Sequence, residues 1–100
     1  LIGITQTNTE IPIEYKLEQN YPNPFNPSTR IDFSIPISDN VTLKVYDLIG
    51  KEVSTLVDEF RNAGNYSIEF TGSSDLNSGI YFYKMTSGEF AITKKFILMK

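Results

Sequence analysis

The sequence predicts an all-β domain, an antiparallel sandwich of about seven strands that is immunoglobulin-like or fibronectin III-like. Three observations predict it. Apolar residues recur at every second position in several segments, which is the period of a strand with one wet face. Turn residues separate these segments at intervals of about ten residues, and no segment shows the period of an amphipathic helix. The Cys, Trp, Cys pattern of true immunoglobulin domains is missing, because the chain has neither cysteine nor tryptophan.

The chain begins with a polar stretch. Residues 1 to 14, rich in Thr, Asn, Gln and Glu, are predicted as a linker or disordered leader, so the folded domain is expected to span residues 15 to 100. Residues 15 to 19 alternate and predict a short edge strand. Because the first ten residues lack the basic start and apolar run of a signal peptide, we expect the chain to be a piece of a longer protein.

A proline-rich segment, residues 20 to 29, follows and is expected to organise the sandwich. Its three prolines fix their own φ and push the preceding residues out of the helical region, so the segment must be extended or turning. It offers few backbone donors, which suits the outer edge of a sheet. Tyr21 and Phe25 are large enough to anchor it on the core.

Two alternating segments come next. Residues 29 to 35 predict a strand with Ile31, Phe33 and Ile35 on one face, and residues 41 to 47 predict a second strand after a turn. Gly50 then predicts a tight hairpin into residues 52 to 60. In that third strand Leu56 is out of phase, so either a bulge lies near Thr55 or both faces are partly covered.

The second half repeats this pattern. Residues 66 to 70 alternate after a turn, and the polar loop 71 to 79 contains Leu76, which is expected to plug one end of the core. Residues 80 to 85 are apolar on both faces, as in a central strand, and Tyr81, Tyr83 and Met85 are predicted to point inward. Ser87 and Gly88 predict a hairpin turn into the last strand, residues 89 to 100.

Composition limits the function. Nine basic against twelve acidic residues give a net charge of −3, which argues against nucleic acid as a partner. The longest late apolar run, residues 96 to 99, cannot span a bilayer. With no histidine and no cysteine, a Ser-His-Asp triad, a thiol nucleophile, a zinc site and a haem site are excluded. We therefore expect no metal, no cofactor and no catalysis.

Acidic residues offer little chemistry either. Those that could form a glycosidase pair fall on outward strand positions or in turns: Asp32, Asp39, Asp47, Glu52, Asp58, Glu69 and Asp75. A segment beginning at Asp75 resembles a calcium loop superficially. Counted from Asp75, however, Ile80 stands where that loop needs glycine and Thr86 where it needs glutamate.

Two surface features remain candidates for recognition. Tyr66, Tyr81 and Tyr83 with Phe82 could form an aromatic platform for a sugar, although packing into the core is the favoured interpretation. Near the end, the lysines either form a recognition feature or guard an exposed last strand against pairing, and guarding is favoured. These are Lys94, Lys95 and Lys100.

Long motifs then indicate a family. They are Tyr-Pro-Asn-Pro-Phe-Asn-Pro-Ser-Thr at residues 21 to 29, Val-Thr-Leu-Lys-Val-Tyr-Asp-Leu-Ile-Gly-Lys-Glu-Val at 41 to 53, Ala-Gly-Asn-Tyr at 63 to 66, Leu-Asn-Ser-Gly-Ile-Tyr-Phe-Tyr-Lys at 76 to 84, and the closing segment 88 to 100. In this order they closely resemble the type A C-terminal sorting domain of the type IX secretion system. The last strand departs from the pattern, since it reads Phe-Ile-Leu-Met where valine is commoner, a change that affects packing detail and not the fold.

The resemblance implies a function. It implies a sandwich at the C-terminus of a larger cargo protein, secreted or held at the cell surface by a gram-negative bacterium of the Bacteroidetes type or a relative. The family's domain is recognised at the outer membrane by the secretion machinery, and a sortase-like peptidase often removes it; here we expect the cut before Tyr21. The residues it marks for recognition are Gly64, Tyr66, Gly79, Tyr81, Gly88, Lys94, Lys95 and Lys100.

Two other functions stay open on the sequence. An accessory carbohydrate-binding or adhesive module of a secreted enzyme would use the aromatic residues. A structural immunoglobulin-like spacer, such as the one in flagellar hook-capping proteins, would need no binding site. A sorting signal must lie at the end of its parent protein, whereas the alternatives can lie anywhere.

Overall fold

The computed structural model describes residues 4 to 8 by their backbone alone and residues 11 to 100 completely. Within these ranges every regular element is a strand. The strands are β1 Ile4–Asn8, β2 Lys16–Leu17, β3 Ser28–Ile35, β4 Asp39–Tyr46, β5 Glu52–Arg61, β6 Gly64–Thr71, β7 Gly79–Ser87 and β8 Phe90–Leu98. The described ranges contain no helix that could cross a membrane.

Two antiparallel sheets form a sandwich. The first has the order β1-β6-β3-β2 and the second has the order β5-β4-β7-β8. Without β1, the remaining seven strands form sheets of three and four, the arrangement of fibronectin III-like domains, so the predicted fold class is confirmed. The hairpins β4–β5 and β7–β8 lie in the second sheet, and the connections β3–β4, β5–β6 and β6–β7 cross between the sheets.

The core lies between the sheets, where the alternation predicted it. Tyr81, Tyr83 and Met85 are buried as expected, and Leu76 packs against the core from its loop. The β4–β5 hairpin turns at Gly50 with φ at 88°, a value that favours glycine. Both hairpins predicted from glycine, at residues 50 and 88, are present.

The out-of-phase leucine in β5 marks a bulge. Leu43 lies opposite Val57, but the next residue, Lys44, lies opposite Thr55, so Leu56 is inserted in the ladder. Leu56 and Val57 are consequently both buried, although they are neighbours in the chain. Of the two explanations that the sequence left open, the bulge is the correct one.

The proline-rich segment links the edges of the two sheets. Tyr21 bridges to Arg30 at the edge of β3, and Phe25 bridges in parallel to Leu98 of β8. Phe25 is buried as predicted, but Tyr21 is 76% exposed, so the expectation that it anchors the segment in the core is wrong. Because the backbone of Tyr21 takes part in the bridge while its side chain faces outward, its size contributes nothing to the core.

Part of the predicted leader is ordered. Within residues 1 to 14, which were expected to show little order, Ile4–Asn8 forms β1 and pairs with the edge of β6. A polar strand can pair here because the ladder uses backbone groups and needs no apolar side chains. The predicted boundary between leader and domain at residue 15 stays a prediction.

Candidate functional site

Two tyrosines that the resemblance marks for recognition are buried in the described fold, and their hydroxyls are hydrogen-bonded. Tyr66, near the start of β6, is 5% exposed, and its hydroxyl donates a 2.6 Å hydrogen bond to the carbonyl oxygen of Asn62. Tyr81, near the start of β7, is 7% exposed and donates a 2.7 Å bond to the carbonyl oxygen of Asn77. Each phenol thus ties its strand to the turn that precedes it, as in the tyrosine corner of immunoglobulin-like domains.

These hydroxyl bonds should be measurable as stability. Tyr66→Phe and Tyr81→Phe are each expected to lower the free energy of unfolding by about 0.5 to 1.5 kcal/mol in urea titrations at neutral pH, because each removes one hydrogen bond. Tyr46→Phe is the control, since the Tyr46 hydroxyl has no partner in the described part of the chain. If all three variants had the same free energy of unfolding, the Tyr66 and Tyr81 hydroxyl bonds would not contribute to the stability of the fold.

The sugar platform is not formed. Tyr66, Tyr81 and Tyr83 are all buried, so the core-packing interpretation that the sequence favoured describes them. Phe82 alone of that set faces the outer surface, where it lies opposite Lys95.

The marked glycines lie at strand ends and turns. Gly64 begins β6 opposite Ile35, and Gly79 begins β7 opposite Leu98. Gly88 turns the β7–β8 hairpin with φ at 58°, and a Cβ there would come within 3.0 Å of Asp39 Oδ2. Since Gly79 and Gly88 lie at opposite ends of β7, the structure does not bring the marked residues into one cluster.

The three closing lysines also separate. Lys94 lies opposite the core residue Tyr83, so it continues the inward side of the edge strand and is half-buried there. Lys95 lies opposite Phe82 on the outer face and is exposed. Lys100 is tied to the loop before β7, because its Nζ donates a 3.0 Å bond to the carbonyl oxygen of Ser74.

Lys95 instead belongs to a basic stripe that the sequence did not reveal. Lys44 of β4 and Lys84 of β7 lie directly opposite one another, and Lys95 of β8 is the diagonal neighbour of Lys84. We call Lys44, Lys84 and Lys95 the lysine stripe. No ion pair of Lys84 or Lys95 occurs within residues 11 to 100.

Glu52 partly balances the stripe at one end. Its carboxylate lies 3.3 Å from Lys44 Nζ. This hydrogen bond and the charge of Glu52 raise the pKa of Lys44 above its ordinary value. The Thr55 hydroxyl, followed by Lys44, lowers the pKa of Glu52. Both groups therefore remain charged at neutral pH, and the positive charge of Lys84 and Lys95 is left uncompensated.

A buried polar network that sequence reasoning missed holds the proline-rich segment. Asn20 is 3% exposed, and its Nδ2 donates to Thr29 Oγ1 at 3.0 Å and to the carbonyl oxygen of Pro22 at 3.1 Å. Thr29 Oγ1 donates to the same Pro22 oxygen at 2.8 Å. Asn and Thr flanking a proline run could have signalled such a closure, since their side chains often bond nearby backbone.

The fold and surface together define a small β-sandwich module, with its aromatic residues inside and lysines on one sheet. Residues 19 to 99 match a family model described as the secretion system C-terminal sorting domain. The chain therefore belongs to this family and carries a C-terminal sorting signal for type IX secretion. No curated protein and no solved structure matches the chain.

Membership has two coarse consequences. Domains of this family are in general non-catalytic, and within the described residues no group of three His, Cys, Asp or Glu side chains could hold a metal ion. A type IX signal forms the C-terminal tail of a cargo that is secreted or placed on the cell surface.

Proposed function

We propose that the folded sandwich is a non-catalytic tag that the type IX machinery reads at the outer membrane through exposed residues near β8. The observation that carries this proposal is the family match over residues 19 to 99, combined with the exposure of Lys95 on the outer face of a sheet whose inner face is buried. Gly64, Tyr66 and Tyr81 then act indirectly, by holding the turns and strand ends that present the surface. Gly79, Gly88, Lys94 and Lys100 complete the proposed signal.

The cargo and the processing enzyme complete the proposal. A cargo domain precedes the sandwich in the parent protein, and a sortase-like peptidase cuts upstream of Tyr21 when the cargo is attached to the cell surface. Ile11 and Ile13, which lie between β1 and β2 and are 60% and 95% exposed, support this placement because a peptidase needs accessible chain.

An export assay tests the proposal. A periplasmic reporter fused to residues 1 to 100 is expected to leave a host that has this secretion system, and Lys94→Glu with Lys95→Glu is expected to reduce export at least about tenfold. The melting temperature of the double variant is measured alongside, because Lys95 is exposed but Lys94 is half-buried opposite the core residue Tyr83, and only a variant that stays folded tests recognition. The fusion includes β1 because β1 pairs with β6.

A matched double variant distinguishes the loss of a specific recognition site from a general effect of net charge. Arg30→Glu with Lys51→Glu changes the net charge equally, and both side chains are exposed, one on β3 and the other in the turn between β4 and β5. Normal export of this control with loss in the first variant supports recognition at β8. If the folded Lys94 and Lys95 variant is exported normally, those lysines are not part of the signal.

A further inference from the structure

The outer edge of β8 is covered over only part of its length. The odd-numbered residues of β8 point their backbone amide and carbonyl groups away from β7. Two hydrogen bonds in the C-terminal half of the strand show this. The carbonyl oxygen of Lys95 accepts from Gln19 Nε2 at 2.7 Å, and the amide of Ile97 donates to Asn23 Oδ1 at 2.9 Å. Phe25 adds backbone bonds of 3.0 and 2.9 Å to Ile97 and Met99. Gln19 and the proline-rich segment thus close the edge from residue 95 onward.

The N-terminal half of the same edge is open. Because alternate residues of an antiparallel strand point the same way, the amide and carbonyl groups of Ala91 and Thr93 face outward as well. No described group bonds them there. An edge strand with unpaired backbone groups is a template for another extended chain.

Other sheet edges offer less. In the first sheet the edge strands are β1, whose pairing with β6 is interrupted between Gln6 and Asn8, and β2, which has only two residues. In the second sheet, β5 is interrupted by register shifts and carries Asp58 and Glu59 exposed beside the ladder. Bulges disturb the pairing of an added strand, so the short open stretch of β8 is the better template.

Charge indicates what kind of chain fits this edge. Lys44 and Lys84 lie directly opposite each other, an arrangement that disfavours folding, and Glu52 pairs with Lys44 alone. Lys95 extends the same positive field to the edge itself. An added strand with carboxylates on the outer face would place them beside Thr93 and Lys95 and near Lys84, where they would relieve this repulsion.

We propose that the β8 edge from Ala91 to Lys95 binds an extended acidic segment of a partner protein, which pairs as a fifth strand with its carboxylates facing the lysine stripe. The inference rests on the proposed function in one respect, since it names the kind of partner that would read the sorting signal. The lysines then have two effects: they repel a second β8 edge or a basic strand, and they attract an acidic one.

Amide hydrogen exchange tests the pairing directly. The probe is a capped eight-residue peptide that alternates Glu and Val, added to the full 100-residue chain. At saturation the amides of Ala91 and Thr93 should exchange at least about tenfold more slowly, because they become part of a ladder. The amides of Phe90, Ile92 and Lys94 already face β7 and should change little.

Controls decide between a strand and a simple charge effect. A Lys and Val peptide of the same length should not bind, and anionic phosphatidylglycerol vesicles should not slow exchange at Ala91 and Thr93. Binding of the acidic peptide without protection of those two amides would overturn the proposal. So would equal binding of the basic peptide, or protection by the vesicles alone.

Backbone and charge variants give a second measurement. Thr93→Pro removes the outward donor without removing a bond to β7, and should weaken the Glu and Val peptide about threefold to tenfold. Thr93→Val keeps the donor and should bind as the wild type does. Lys84→Glu with Lys95→Glu should weaken binding about tenfold. If Thr93→Pro fails to fold, the exchange result on the wild-type chain alone decides.

Export separates this inference from the proposed function. If the wild-type fusion and a folded Thr93→Pro fusion are exported equally well, the edge proposal is wrong and the sorting function stands. If the wild-type fusion is not exported, the sorting function is wrong, and the peptide measurement still decides whether the edge binds an acidic strand.

Discussion

Phe96→Ala is expected to lower the free energy of unfolding by about 3 to 5 kcal/mol, the usual cost of removing a fully buried phenylalanine. Phe96 is 0% exposed, and the centroid of its ring lies 4.8 Å from that of Phe25, in an edge-to-face arrangement. The ring centroids of Phe70 in the first sheet and Tyr83 in the second each lie 5.6 Å from that of Phe96. One side chain therefore joins both sheets and the proline-rich segment.

Urea titration measures this effect, and Phe60→Ala is its matched control. Phe60 is 59% exposed on β5, so its truncation should change the free energy of unfolding by less than about 0.5 kcal/mol. A domain of this size has a stability of about 5 to 15 kcal/mol, and Phe96→Ala should therefore remove a large part of it. Similar values for the two variants would mean that the aromatic cluster does not join the sheets.

The sandwich could be predicted because its strands carry a clear two-residue period. In β3, Ile31, Phe33 and Ile35 are each at most 1% exposed, as their alternation predicts. The glycines at the two hairpins then fixed where the strands turn. These signals are local, since each depends on neighbours along the chain, and local signals can be read from a sequence.

The remaining features depend on which strands become neighbours. A polar segment such as β1 carries no apolar pattern, yet its backbone pairs with β6. Tyr21 was expected in the core because of its size, but whether an aromatic residue of an extended segment faces inward depends on the bridge its backbone makes. Periodicity alone does not supply that information.

The lysine stripe shows the same limit for the candidate site. Lys44 and Lys84 are separated by forty positions in the numbering and meet only because β4 and β7 pair in one register. Lys94 and Lys95 are adjacent in the chain, yet they point to opposite faces, as successive residues of a strand must. Lysines that look like one cluster in the sequence therefore divide, and lysines that look unrelated come together.

Tyr83→Phe is expected to lower the free energy of unfolding at neutral pH by about 2 to 4 kcal/mol. The buried Tyr83 hydroxyl donates a 2.7 Å bond to the carbonyl oxygen of Glu18 and accepts a 2.9 Å bond from the amide of Asn20. Phenylalanine fills the same space but leaves both backbone groups without their partner. The loss should therefore exceed that of Tyr66→Phe, where a single bond is removed.

The same hydroxyl gives the wild-type domain a pH dependence that the Phe variant lacks. Burial raises the pKa of Tyr83 to about 12, and the bond from the Asn20 amide offsets only part of this effect. In the unfolded chain the phenol ionises near its ordinary pKa of about 10. Between these values the unfolded state has lost a proton that the folded state keeps, so stability present below pH 10 decreases as the pH rises to 12.

Urea titrations of both proteins from pH 8 to 12 measure that contribution. The free energy of unfolding of the wild type should fall by about 2 kcal/mol more than that of Tyr83→Phe over this range, and the difference between the two proteins should narrow accordingly. A constant difference would mean that Tyr83 titrates alike in both states. Its hydroxyl would then not be buried from solvent between Glu18 and Asn20, and the attachment of the proline-rich segment to β7 would need another explanation.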